Sequence, residues 1–333
     1  MNNRDRFRAV LRREHVDRLP RCEWATWWDL TIERWQGEGL TRGLPSGEAG
    51  VVAVMEHFGL DPAWQAWHPI ARPGFPELAH GQGPVGSLAD YERLRSYLYL
   101  DPEWDRLFPP EVCDRHERGD LALWYTLNGF FWFPRQLLGI ERHLYAFYDQ
   151  PALLRRICED LLEYNLRLVG ALARRVEPEF MTIAEDMSYN GGPMLSQAHF
   201  EEFIAPYYRE LTNRIRGSGT VVVVDSDGDV ESCVPWFEAC GVEGMLPLER
   251  QSGVDVARLR DRHPALRMIG GFDKMTMTRG VDAMRAEFER LLPVMRLGGF
   301  VPGVDHQTPP GVSLGEYRDY LALLWEYTER AAG

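Results

Sequence analysis

Four consecutive valines, Val221 to Val224, run directly into Asp225-Ser226-Asp227-Gly228-Asp229. This junction constrains the fold more than any other stretch. An unbroken β-branched run is the pattern of a strand covered on both faces, as parallel strands in α/β proteins are. Carboxylates cannot continue such a run into an apolar interior unless they find partners. The acids therefore mark a strand mouth that faces water or a ligand. In barrels and doubly wound sheets, sites are built at that mouth.

The rest of the chain alternates strand-like and helix-like segments. Strands are expected at 19–24, 63–68, 121–127, 180–185, 220–224, 244–248, 267–271 and 299–304. Apolar spacings of three and four mark helices at 151–176, 197–216, 281–295 and 314–330. Pro151 stands as a first-turn proline and Ser313 as an N-cap. Eight strands alternating with helices favour a single (β/α)₈ TIM barrel over an open sheet, with one domain over residues 1–333. Residues 69–120, rich early on in proline and glycine, read as a long excursion after the second strand.

Composition narrows the function. The chain has 333 residues, 45% of them apolar, and a formal charge of −13. Such acidity argues against nucleic acid and anionic membranes, whose phosphates need a basic surface. No segment is apolar over the roughly 20 residues of a membrane span. The opening Met1–Arg6 lacks the apolar core of a secretion signal, so a cytoplasmic protein is expected. Five cysteines, Cys22, Cys113, Cys158, Cys233 and Cys240, form no CxxC pair. A small-molecule substrate is the remaining class of partner.

If the barrel is right, its mouth is lined by the polar residues that end the strands. These are Glu23, His68, Asn128, Glu185 with Asp186, Asp225 with Asp227, Glu249, Asp273, and Asp305 with His306. A capping or ion-pair role stays open for any one of them. Asp305 is placed to fix the tautomer of His306. Trp24, Phe130 and Trp132 follow strand ends and are candidate walls for an aromatic or cationic ligand. Core packing explains them as readily. His143 falls on an apolar helical face and is expected to be structural. Lys274 beside Asp273 would suit a Schiff-base enzyme only if desolvated.

Several segments, taken in order, resemble the uroporphyrinogen decarboxylase superfamily. They are Asn3–Arg12 with Val16–Pro20, Glu185-Asp186-Met187, Gly191–Ser196, Phe200–Tyr207 and Val224–Asp229. Gly270–Asp273 and Gly298-Gly299-Phe300 through Asp305-His306 to Pro309-Pro310 complete the set. The resemblance implies a (β/α)₈ enzyme, often a homodimer, with its pocket at the carboxyl ends of the strands. The superfamily holds porphyrinogen decarboxylases and zinc-dependent methyltransferases that work with corrinoids.

Two departures shape the expectation. The decarboxylases carry an arginine-rich segment after the first strand, but residues 21–29 here hold only Arg21 among three tryptophans and two acids. A porphyrinogen with eight carboxylates would need bidentate arginine clamps. The thiol methyltransferases use His-x-Cys where this chain has Asp225-Ser226-Asp227. Zinc on Asp225 and His306 is thus a candidate metal site, with hard oxygens also suited to magnesium or manganese. The expectation is a corrinoid-linked methyltransferase with Asp225, Asp227 and His306 as its catalytic centre. Asn128, Asp186, Glu185, Trp24, His68, Phe130 and Trp132 would bind substrate, and a separate protein would supply the methyl-corrinoid. A decarboxylase of a porphyrinogen or smaller acid is the first alternative. A catalytically silent ligand-binding relative is the second.

Overall fold

The computed structural model describes residues 1–76 and 78–332. Seven parallel strands form one curled sheet: β1 Ala63–Ala66, β2 Ala122–Asn128, β3 Phe180–Ala184, β4 Val221–Asp225, β5 Gly244–Leu246, β6 Arg267–Phe272 and β7 Phe300–Val304. Their order in the sheet is their order in the chain. A doubly wound sheet would reverse direction at a switch point, and this one never does. The architecture is that of a (β/α)₈-type barrel with helices around the sheet. Val222, Val223 and Val224 are 0% exposed, each contributing roughly 1.5–3 kcal/mol of apolar burial.

The segment expected as the first strand, 19–24, forms no strand ladder. It is tied in from both sides instead. Asp61 N–H donates to the Arg21 carbonyl at 2.8 Å, and Val304 N–H donates to Glu23 Oε2 at 3.1 Å. The reason lies in β7. Asp305 N–H reaches Phe272 of β6, so by alternation the amides of residues 302 and 304 face the other edge. Residue 302 is a proline with no N–H to give, and the Val304 amide is taken by a side chain. Closure there rests on a carboxylate staple.

The helices follow their patterns with one correction. Pro151–Leu172 buries Leu154, Ile157, Leu161, Leu168 and Leu172. Leu314–Ala332 begins with a capping box: Glu316 N–H donates to Ser313 Oγ, and Ser313 N–H donates to Glu316 Oε2. The helix expected over 197–216 is two, Gln197–Phe203 and Ala205–Arg216. Pro206 causes the break, because its ring cannot continue an upstream turn but suits the first turn of a new helix. The excursion over 69–120 carries the short helices Leu88–Leu94, Trp104–Leu107 and Pro110–Arg118. No helix among the described residues is long and apolar enough to cross a membrane.

Candidate active site

Register lines up the strand ends. Asn128 of β2 pairs with Ala184 of β3, and Ala184 with Asp225 of β4. Immediately beyond this row the chain turns twice. After β3 the amides of Glu185 and Asp186 both donate to the Asp225 carbonyl, at 2.8 and 3.3 Å. Asp186 takes a left-handed φ of 44°, which aspartate tolerates better than most residues. After β4, Gly228 (φ 84°) packs so close to the Tyr189 backbone that a Cβ would sit 2.7 Å from it. Its N–H donates to Glu249 at 2.9 Å.

These turns leave a cavity of about 230 Å³ whose lining includes Asp186, Asp225, Asp227 and His306. Trp24, Trp67 and Trp132 supply its aromatic walls, and Gln65 and Gln307 contribute as well. The volume falls below the roughly 300–1,000 Å³ of sites for drug-sized ligands. It suits a small molecule.

His306 Nε2 stands 3.6 Å from Asp227 Oδ2. That is ion-pair range, beyond a normal hydrogen bond. The adjoining carboxylate raises the imidazole pKa above its ordinary value, against an opposing contribution from burial. Trp24 packs edge-on to the same ring, centroids 6.2 Å apart, and is itself fixed by its Nε1–H to the Val304 carbonyl at 2.8 Å. Asp305 does not orient His306. Its buried carboxylate accepts from Arg250 N–H at 3.0 Å and from Lys274 Nζ at 3.2 Å. Lys274 is thus engaged with Asp305 and Gln251 rather than free in the cavity.

The acids of the cavity differ in their partners. Arg135 holds Asp186 through its carbonyl at 2.9 Å and its carboxylate at 3.2 Å. Asp225 accepts no side-chain hydrogen bond among the described residues. Burial, then repulsion from Asp227 and Asp186, pushes its pKa well up. Glu185 borders the cavity, but its carboxylate is fully buried, bonded to the amides of Phe131 and Trp132 at 2.9 and 3.1 Å. Burial outweighs those amides and lifts it to about 7.

The residues expected at the site from sequence therefore separate into groups. Trp24, Trp132, Glu185, Asp186, Asp225, Asp227 and His306 border one cavity. Asn128 and His68 border a neighbouring space that shares Gln65 and Trp67 with it. His68 is held by the Leu100 carbonyl and the Tyr164 hydroxyl, and burial lowers its pKa. Phe130 is misplaced by the sequence reading. It is 1% exposed and stacks on Tyr207 inside the core. His143 is fully buried against Phe131 and Phe147, as its helical position implies. Arg135, Gln65 and Trp67 were not anticipated as site residues. Gln65 in β1 and Trp67 just beyond its end lie two residues apart and border the same cavity, whereas nothing local couples Arg135 to Asp186.

A metal centre is not preformed. Among the described residues no three His, Cys, Asp or Glu side chains come together as a ligand set. The Asp225–His306 pair expected to hold zinc thus lacks a third protein ligand, and no thiolate borders the cavity. Arg21 points away, bonding Thr328 and Glu329, so residues 21–29 bring no guanidinium to the cavity.

Comparison with known proteins agrees with this architecture. A methyltransferase from Methanosarcina mazei shares the fold at 16% identity, with a TM-score of 0.67, covering 98% of this chain and 99% of that one. A type I 3-dehydroquinate dehydratase from Clostridium difficile aligns over 65% of this chain and 74% of its own, with 12% identity and a TM-score of 0.33. No curated protein sequence matches. The uroporphyrinogen decarboxylase family model matches residues 131–325, a span running from the amides that hold Glu185 through Asp225, Asp227 and His306. The chain belongs to the uroporphyrinogen decarboxylase family.

Proposed function

We propose that this chain is a methyltransferase working at the barrel-mouth cavity, with a methyl-corrinoid delivered by a separate protein. The observation that carries the reading is the Asp227–His306 pair, two residues 79 positions apart in sequence (306 − 227) that meet at one cavity. A bound methyl-corrinoid would supply an electrophilic methyl group, its cobalt keeping the electron pair of the broken carbon–cobalt bond. The chain's part is to position the acceptor and take its proton. His306 removes that proton as general base, and Asp227 stabilises the imidazolium that results. A base with a raised pKa is stronger, and it works best once the pH is high enough to free it.

Decarboxylation of an acidic substrate is disfavoured by the charge of the cavity. Asp186, Asp225 and Asp227 border it and no arginine does, Arg135 behind them is committed to Asp186, and a carboxylate would enter against repulsion. Because the residues do not assemble a zinc site, no step is routed through a metal.

The test is a spectroscopic transfer assay with methylcobalamin and a panel of amine, thiol and hydroxyl acceptors. Turnover should appear, and His306→Ala should lower it about 10²- to 10⁴-fold. No transfer to any acceptor, alongside release of carbon dioxide from a carboxylic acid, would overturn the reading.

A further inference from the structure

The bordering groups also bear on what kind of acceptor enters. We infer that the cavity binds a small amine as its ammonium ion, the acceptor being nitrogen rather than sulfur or oxygen. This inference rests on the methyltransferase reading and deepens it.

Three features converge. Trp24, Trp67 and Trp132 offer indoles around a space of about 230 Å³. The negative face of an indole attracts an alkylammonium. Arg135 already lies 4.3 Å from the Trp132 ring centre, so that indole has a cation on one side. The second feature is Asp225, a half-buried acid at the cavity wall that accepts no hydrogen bond among the described side chains. With Asp186 and Asp227 as its charged neighbours it lacks a cationic partner. An ammonium N–H would supply the missing partner. The third is the sign of the charge that develops. A neutral amine becomes positive as the carbon–nitrogen bond forms, and fixed carboxylates stabilise it. A thiolate becomes neutral during the same step, and the acidic lining would oppose forming it at all.

The step balances. The ammonium loses one proton to His306, and the freed nitrogen lone pair attacks the methyl carbon. The new carbon–nitrogen bond replaces the carbon–cobalt bond, whose electron pair stays on the corrinoid. The product is the N-methylated ammonium.

Calorimetric titration of the full chain with methylammonium and with tetramethylammonium reads this directly. Both cations should bind through the indoles, methylammonium the more tightly because it alone carries an N–H for Asp225. Asp225→Asn and Trp132→Leu should each weaken binding about tenfold. Failure of both cations to bind, or equal binding of neutral tert-butanol, would overturn the inference. Methyl transfer to a thiol without amine binding would sink it while leaving the methyltransferase reading intact. Amine binding without any transfer from methylcobalamin would do the reverse.

Discussion

Glu179, just before β3, is buried, whereas Asp225, at the end of β4, is half-buried at the cavity wall, and the chain treats the two carboxylates in opposite ways. Glu179 is saturated. It accepts from Arg8 Nε at 2.9 Å, from Leu123 N–H at 2.6 Å, and pairs with His116 at 3.0 Å. Asp225 has two acids for neighbours and no side-chain donor among the described residues. The first arrangement holds the amino-terminal end of the barrel together. The second leaves electrostatic free energy unspent at the carboxyl-terminal end, where a ligand can use it. A carboxylate short of partners beside a cavity marks function more sharply than burial does.

The largest effect expected from this contrast is at the saturated end. Glu179→Ala strands Arg8, His116 and a backbone amide together, and losing one partner of a buried pair costs about 3–5 kcal/mol. Urea unfolding should show a lower midpoint by that measure. A midpoint unchanged from the native protein would erase the distinction between the two ends.

Asp225→Asn should act in the opposite direction. Asp225's folded pKa lies above its unfolded value of 3.8, so its contribution to stability is present while it is protonated and fades as pH climbs through the folded value. Asparagine removes the penalty of the ionised form. The variant should outlast the native protein in urea at about pH 8, with the advantage gone near pH 3. Destabilisation at the higher pH would show that Asp225 has partners after all.

The smallest effect lies far from either end. Ser313→Ala removes the cap of the last helix and should cost about 1 kcal/mol, with methyl transfer unaffected, since Ser313 touches no cavity residue. A change in transfer rate would mean that helix communicates with the mouth.

Sequence made the barrel legible because strand and helix patterning is local. The seven sheet strands lie within two residues of their expected ends. The segment 19–24 was misread because its neighbour decides its state: Pro302 withholds one amide and Glu23 captures the other, and neither is visible within 19–24. Acids ending buried strands were legible in sequence, and the fold brings Asp186, Asp225 and Asp227 to one cavity. Phe130 fails the same test because Gly129 lets the chain turn inward, where a Cβ would lie 1.9 Å from Glu185. The partner of His306 was misassigned to the adjacent Asp305, since sequence proximity says nothing of which carboxylate the fold brings near. Family membership does not choose among acceptors either. The amine proposal rests on the charges and indoles that border the cavity.

The account depends on Asp227 acting on His306 across the barrel mouth. Its most direct test is the imidazole titration of His306, followed by nuclear magnetic resonance and assigned through the His306→Ala variant. The midpoint should lie above the ordinary 6.5 in the native protein and fall when Asp227 is replaced by asparagine, which removes the charge and keeps the shape. A midpoint at or below the ordinary value, or one indifferent to Asp227→Asn, would contradict the pairing and the chemistry drawn from it.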